Sequence, residues 1–346
     1  MYHPFTPLIL QEIAPELGIR IEMEPAYGFA GELIFADGSK QLFHNANLNL
    51  NPAAATQIAN DKGYTCFFLR KHGIRVPQQR AFFADQVNQK LPPARRQTLQ
   101  HALAYAQELG YPVFVKPNNL SQGAHVTKVW QPEQILQVGA EIFARNDVLL
   151  VEQTCSGRDY RVVVFDGEVF AAYERVPLCV NGDGKLSITE LIGRQQQQLH
   201  QAGRLSSEID LHDPRIDAKL QQQGLSRASV PPAGEKLVLL DNANLSTGGT
   251  SSDISGQIHR DFIAIAKQAC QIIGLRLAGV DFLAADLTQP ADGQDWHILE
   301  LNAAPGMENY AAMGARQRQR VKDLYRRVLQ TLAQQHAAEP DQPDSS

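Results

Sequence analysis

The segment HILELNAAPGMENY, residues 297–310, is the most informative stretch of this chain. It alternates apolar and polar residues for six positions and then breaks at Asn302-Ala-Ala-Pro-Gly. Ile298, Glu300 and Asn302 are two residues apart, so on a β-strand their side chains share one face. The pattern therefore predicts a strand that presents a carboxylate and an amide oxygen side by side, and it raises the question of what the two groups bind.

A second apolar run, LAGVDFLAADL at 277–287, precedes this segment and is joined to it by the turn-rich link TQPADGQD. Two strands with such a link favour antiparallel pairing, which would bring Asp281 to the face of Glu300 and Asn302. Oxygen ligands of this kind suit Mg²⁺, which usually takes one or two protein carboxylates together with substrate phosphates. Without further support, unrelated polar residues at two strand ends explain the spacing equally well.

The composition indicates an ordinary globular protein with room for two or three domains, because the chain has 346 residues of which 43% are hydrophobic and 20% charged. A net charge of −5 argues against a nucleic-acid partner. No window has the roughly 18 apolar residues of a membrane span, and the N-terminus lacks the pattern of a signal peptide. The four cysteines are widely spaced, which is typical of free thiols. We therefore expect a cytoplasmic protein without a membrane partner.

Two lysines occupy positions suited to phosphate. Lys62 follows Asp61, a predicted helix cap, and lies in the first turn of a helix that should end at Gly73. Lys116 ends the strand YPVFVKP, and the small polar loop after it, which includes Gly123, offers backbone N–H groups to an anion. The alternative for Lys116 is a lysine that extends from a strand edge to solvent.

The stretch LLVEQTCSGRDYRV at 149–162 runs from an apolar strand into a polar turn. The backbone at such a junction can form hydrogen bonds to the edge of an adenine, and a carboxylate there can bind the ribose. Glu152 and Asp159 are the candidate acids. Each acid alone is as well explained as a surface residue. Farther along, the glutamine-rich residues 193–229 predict a solvated insertion, which is more typical of plain surface than of a lid or an interface, although all three stay open. The tail at 334–346 predicts disorder.

The order of these pieces resembles the ATP-grasp superfamily from Lys62 to about Gly306. The stretches ERVPLCVNGDGKLSITELI and NANLSTGGTSSDIS narrow the resemblance to the ATP-grasp module of cyanophycin synthetases, which build a poly-aspartate chain with arginine side groups. They are also similar to the related modules of bifunctional glutathione synthetases. The resemblance implies an α/β (α+β) ATP-grasp fold in which two lobes clasp ATP. The expected ranges are a reduced N-terminal segment at 1–60, a small lobe at 61–150, a large lobe at 151–333 and the tail.

The resemblance also implies ligand roles. ATP phosphates would contact Lys62, Lys116 and the loop at Gly123, and the adenine would meet Glu152 and the backbone of Gln153 to Cys155. Asp159 would bind the ribose. One or two Mg²⁺ ions, with Mn²⁺ as an alternative, would be held by Asp281, Glu300 and Asn302. Catalytic contacts to the carboxylate substrate or to the transferred phosphate would come from Arg161, Arg175 and Asn244.

The activity implied by the resemblance is ATP-dependent, ADP-forming ligation of an amino-acid or peptide carboxylate to an amine through an acyl phosphate. Two alternatives stay open: a γ-glutamyl or glutathione-type ligase, and a non-catalytic ATP-binding regulatory module. The partners would be small amino-acid or peptide substrates. The sequence leaves the identity of both substrates and homo-oligomerisation undecided.

Two departures from the family pattern bear on the substrate. The second ligase domain and the larger N-terminal domain of cyanophycin synthetase have no counterpart in this sequence, which favours a single ligation over polymerisation. A family histidine after the second lysine is replaced near Gln122, with His125 close enough to substitute for it. A family arginine after NAAPG is replaced by Glu308, whose charge would attract an amine.

Overall fold

A computed structural model of the chain describes residues 4–119, 126–201, 204 and 207–338. The N-terminal part contains α1 (Phe5–Ile13), β1 (Arg20–Met23), β2 (Ala30–Ile34) and β3 (Lys40–His44). The next part contains α2 (Ala53–Asn60), α3 (Lys62–Lys71), β4 (Gln79–Phe83), α4 (Asp85–Asn88), α5 (Leu99–Leu109), β5 (Val113–Pro117), β6 (Thr127–Val129), α6 (Pro132–Phe143) and β7 (Val148–Gln153). The remainder contains β8 (Arg158–Phe165), β9 (Glu168–Val176), β10 (Cys179–Asn181), α7 (Ile188–Gln201), α8 (Pro214–Gln222), β11 (Lys236–Val238), β12 (Thr250–Asp253), α9 (Arg260–Ile273), β13 (Leu277–Ala284), β14 (Trp296–Asn302), α10 (Glu308–Ala311) and α11 (Ala315–Ala338).

Two antiparallel sheets form the frame of the α/β structure. One has the strand order β4-β7-β5-β6, and its core residues pack with those of α5 and α6. The other has the order β12-β9-β8-β13-β14, and α9 packs against it. An antiparallel sheet can bury one face in its core and leave the other to a ligand. The predicted pairing of the two strands that carry Asp281 and Glu300 is confirmed as antiparallel.

The N-terminal segment packs against the C-terminal helix. Its hairpin turns at Asp37-Gly-Ser, and its strands form a separate sheet in the order β1-β2-β3. Apolar residues of α1 and of this sheet share one buried cluster with α11, and Thr6 Oγ1 lies 3.2 Å from the Tyr325 hydroxyl. Helix α11 continues to Ala338 and so covers the first five residues of the expected tail at 334–346, and residues 339–346 lie outside the described residues.

The glutamine-rich stretch is not solvated surface alone, because Leu199, Ile209, Ile216 and Leu220 within it are buried in a hydrophobic cluster. Helices α7 and α8 and the antiparallel strand pair β10–β11 enclose a hydrophobic cluster of their own, and we call residues 178–240 the 178–240 unit. Its core contains Leu178, Val180, Ile188, Leu191, Ile192, Leu199, Ile209, Ile216, Leu220, Leu237, Leu239 and Leu240. Glutamine favours a helix almost as well as glutamate does. Most of the glutamines, such as Gln197 and Gln198, are exposed on helices whose apolar stripe is sparse.

Substitution of Ile192 by alanine tests whether this unit has a real core. The side chain is fully buried, so its truncation should lower the free energy of unfolding by about 2–5 kcal/mol. Gln197→Ala, at an exposed position of the same helix, should change it by no more than about 0.5 kcal/mol. Urea denaturation of both variants measures their free energies of unfolding. Equal values for the two variants would mean that the buried cluster of this unit does not contribute to stability.

Within the described residues, no helix combines the length and apolar character needed to cross a bilayer.

Candidate active site

A cavity of about 840 Å³ lies between the two large sheets. This volume is within the range of pockets that hold a small ligand or cofactor. Strands of both sheets line it, as do the segments 241–246 and 306–309. The cavity brings together the predicted residues Lys62, Lys116, Glu152, Gln153, Cys155, Asp159, Arg161, Arg175, Asn244, Asp281, Glu300, Asn302 and Glu308. Gln122, Gly123 and His125 lie outside the described residues.

Lys62 and Lys116 reach the same cavity because the start of α3 is tied to the loop after β5. Asp61 caps α3 by accepting a hydrogen bond from the Tyr64 backbone N–H, as predicted. The Asn118 side chain then bridges the two segments. Its Nδ2 donates to Asp61 Oδ2 at 2.7 Å, and its Oδ1 accepts from the Gly63 N–H at 3.1 Å. Two segments distant in sequence thus place their cations at one end of the cavity.

Each lysine faces a carboxylate. Lys116 Nζ lies 2.7 Å from Glu152 Oε2, and both side chains are almost completely buried. Burial alone would lower the pKa of Lys116, but the adjacent Glu152 carboxylate outweighs it and raises that pKa, so the pair is ionic. Lys62 Nζ lies 3.2 Å from Glu300 Oε2 in a more exposed position. Glu152 therefore has an ion-pair role in this structure, and its predicted contact to adenine stays a prediction.

A cluster of four charged residues forms the floor of the cavity, and strand register places it there. Asp281 on β13 is directly opposite Arg161 on β8, and Asp159 on β8 is directly opposite Arg175 on β9. Arg161 donates two hydrogen bonds of 2.7 Å to the Asp281 carboxylate. Arg175 donates to Asp281 Oδ2 at 2.9 Å and to Asp159 Oδ1 at 2.6 Å. Such forked arginine–carboxylate pairs are among the stronger hydrogen bonds of proteins.

The two carboxyl groups of this cluster differ in acidity. For Asp281, burial favours the neutral acid, but Arg161 and Arg175 outweigh it and hold the pKa below its ordinary value. For Asp159, burial outweighs the single Arg175 pair, and the Asp281 charge adds to the effect, so its pKa is raised. Asp281 is therefore the more acidic of the two carboxyl groups.

The residues predicted to hold Mg²⁺ fit that ion in part. Asp281 and Glu300 are cross-strand neighbours, and Asn302 lies two pairs farther along, opposite Gly279. Glu300 is the more accessible carboxylate and lines the cavity with Asn302, which suits an ion that also takes phosphate oxygens. Both oxygens of Asp281 already accept from arginine, so Asp281 would join the metal only if an arginine moved to the phosphates. No group of three or more His, Cys, Asp or Glu residues within the described ranges is placed to hold a metal by itself.

The far wall of the cavity consists of polar side chains that sequence reasoning largely missed. Asn244 caps a short 3-10 turn by accepting from the Ser246 N–H at 3.1 Å. Asn242, two residues earlier, has a buried Nδ2 without a hydrogen-bond partner among the described residues. Asn309 and Asn45 also line the cavity. The asparagines of NANLS and MENY were the available signal, but nothing in their spacing separated ligand contacts from turn residues.

Cys155 lines the cavity at the predicted adenine end. Burial raises the pKa of its thiol to about 12, so the neutral thiol lines the cavity and does not act as a nucleophile.

Comparison with known proteins gives related sequences and a related fold. Residues 68–184 match the family model described as D-ala D-ala ligase C-terminus. The chain is 34% identical over 263 residues to the cyanophycin synthetase of Trichormus variabilis, an alignment that covers 74% of this chain and 27% of that protein. It is 28% identical to the glutathione biosynthesis bifunctional protein GshAB of Desulfotalea psychrophila over 71% of this chain and 31% of that protein.

The fold is shared with a solved structure. The crystal structure of a bifunctional glutathione synthetase from Pasteurella multocida superimposes with a TM-score of 0.59 at 24% sequence identity, covering 93% of this chain and 43% of that chain. At that identity the likeness establishes the fold alone. The chain spans less than a third of the length of the two curated relatives described above.

Proposed function

We propose that this chain, which has the ATP-grasp fold and is related to ATP-grasp ligases, is an enzyme that joins a carboxylate to an amine with consumption of ATP. The substrates are an amino-acid or peptide carboxylate and an amine, and the products are an amide, ADP and phosphate. The observation that supports this best is the placement of two lysines and two arginines around one cavity, each cation facing a carboxylate.

The chemistry explains why such a cavity needs these residues. A carboxylate is a poor acyl donor at neutral pH, so its oxygen first attacks the γ-phosphorus of ATP, and ADP leaves. The amine nitrogen then attacks the acyl carbon of the resulting acyl phosphate, phosphate leaves and the nitrogen loses a proton. Both steps place negative charge on phosphoryl and acyl oxygens, and fixed cations stabilise that charge.

The individual roles follow from position. Lys62 and Lys116 would bind phosphate oxygens, and Arg161 and Arg175 would hold the carboxylate or the phosphate that it receives. Glu300 and Asn302 would hold Mg²⁺, which when bound neutralises charge on the phosphates. The internal ion pairs would then exchange: each cation would give up its carboxylate partner for a phosphate oxygen.

Substitution of Glu308 by arginine tests the proposal that the amine binds at this residue. Glu308 lines the cavity next to Asn309, and its charge should attract an ammonium group. In Glu308→Arg we expect the KM for the amine to rise at least tenfold while the KM for ATP stays within about twofold. Steady-state kinetics with each substrate varied in turn gives both values.

Glu308→Gln, which removes the charge and keeps the shape, is the matched variant and should give an intermediate effect. An unchanged KM for the amine, or a loss confined to ATP, would contradict the assignment of Glu308.

A phosphate-release assay over pools of amino acids and dipeptides tests the function and separates its alternatives. Release stimulated by one acid and one amine identifies the substrates, and a pair of the γ-glutamyl type would select the glutathione-like alternative. ATP binding without stimulated release would favour the regulatory module. Mass analysis of the product shows whether one bond or a polymer forms, and a single ligation is the result we expect.

A further inference from the structure

The 178–240 unit contacts the polar wall of the cavity directly. The Glu208 backbone N–H donates to the Ser246 carbonyl at 2.9 Å, and the Ser207 hydroxyl lies 3.0 Å from the Leu245 carbonyl. Arg204 Nη1 donates to the Gly249 carbonyl at 2.8 Å, and its Nη2 donates to the Leu245 carbonyl. The unit therefore holds the backbone of the 244–249 segment through these hydrogen bonds.

The same two side chains fix the orientation of Asn309. Arg204 Nε lies 3.0 Å from Asn309 Oδ1, and the Ser207 hydroxyl lies 3.1 Å from that oxygen. Arg204 and Ser207 are both buried. Because a guanidinium has donors and no acceptor, the amide oxygen and not the amide nitrogen must face Arg204. The Asn309 amide is thus held in one of its two orientations.

The other half of the amide is available to a ligand. Asn309 lines the cavity, and within the described residues its Nδ2 group makes no hydrogen bond. Glu308 lines the cavity beside it. Two neighbouring residues therefore present one anionic acceptor and one neutral N–H₂ donor to the same space.

We propose that Asn309, held by Arg204 and Ser207 as positioning residues, determines the acceptor by donating from Nδ2 to an oxygen of that substrate. The amine-bearing substrate then carries a carboxylate or carbonyl oxygen close to its amine, which is the chemistry of an α-amino acid or of the first residue of a peptide. A simple alkylamine lacks that oxygen. This inference rests on the proposed function, because it assigns the amine to the Glu308 side of the cavity.

Asn309→Asp removes the donor and adds a negative charge at the same place. Aspartate has the same shape and still accepts from Arg204 and Ser207, but an oxygen replaces Nδ2. In protein saturated with Mg²⁺ and a non-hydrolysable ATP analogue, we would titrate each of the twenty amino acids and the alkylamine that lacks its carboxylate by calorimetry. For the best amino acid, the dissociation constant should rise roughly 10–100-fold in the variant, as expected for loss of a hydrogen bond to a charged group. The affinity for the ATP analogue should stay within about twofold.

The other variants separate positioning from folding. Arg204→Ala should weaken amino-acid binding similarly, and Arg204→Lys should recover part of the affinity. Alkylamine binding should be weaker than amino-acid binding in the wild type and should not be weakened further by Asn309→Asp. Unaltered amino-acid affinity in Asn309→Asp, equal losses for both ligand series, or no amino-acid binding to the wild type would each overturn the inference.

Failure of this inference can be distinguished from failure of the proposed function. Binding that Asn309→Asp weakens, in a protein that releases no phosphate, would refute ligation and support the role of Asn309. Amino-acid-stimulated phosphate release that Asn309→Asp leaves unchanged would support ligation and refute the role of Asn309.

Discussion

Glu300→Ala is expected to abolish ATP-dependent turnover and leave the fold intact. Glu300 lines the cavity, faces Lys62 and is the more accessible carboxylate of the predicted metal pair. Loss of one preorganised group of this kind costs roughly 10²–10³ in rate in other enzymes, and loss of a metal ligand should cost at least as much. Substrate-stimulated phosphate release, measured with saturating ATP, gives the rate.

A matched control lies on the same sheet. Glu168 is an exposed carboxylate at the start of β9 and pairs with Arg327 at 3.4 Å, so Glu168→Ala should retain wild-type turnover. The melting temperatures of both variants should stay close to that of the wild type, because Glu300 belongs to a partly exposed pair. Near-wild-type turnover in Glu300→Ala would contradict the metal assignment.

Asp281→Asn is expected to lower stability as well as activity. The Asp281 carboxylate is buried and compensates two buried guanidinium groups, so its neutralisation leaves Arg161 and Arg175 with Asp159 alone. Removal of one partner from a buried ion pair typically costs about 3–5 kcal/mol. Urea denaturation should therefore show a markedly lower midpoint, and phosphate release should be lost.

Asp286→Asn supplies the comparison for stability. Asp286 lies shortly after β13 and pairs with Arg158 at 3.2 Å near the surface, where such pairs contribute about 1 kcal/mol or less. If the two variants were equally stable, the charged floor of the cavity would not contribute to folding. Loss of stability with full activity in Asp281→Asn would instead exclude Asp281 from the chemistry.

The local part of the site was predictable from the sequence. A period of two placed Glu300 and Asn302 on one face, and a turn-rich link placed Asp281 on the neighbouring strand. The register confirms that Asp281 and Glu300 are directly opposite. The capped start of α3 at Lys62 was also recognisable, because a helix cap depends on a few adjacent residues.

The partners of these residues were not predictable, because they depend on contacts between distant segments. Arg161 meets Asp281 across 120 residues, and Arg204 meets Asn309 across 105. The first pair follows from strand register in a five-stranded sheet, and the second follows from the folding of the 178–240 unit. The unit is hard to recognise from its composition, because a run of glutamines with few apolar residues between them resembles a loop.

The most direct test of the central claim is phosphate release from ATP by the purified protein, measured with pools of amino acids and dipeptides and followed by mass analysis of the product. We expect release that requires both a carboxylate and an amine substrate, with one amide bond formed per phosphate. ATP binding without release under any pool, or release that is independent of both substrates, would contradict the account.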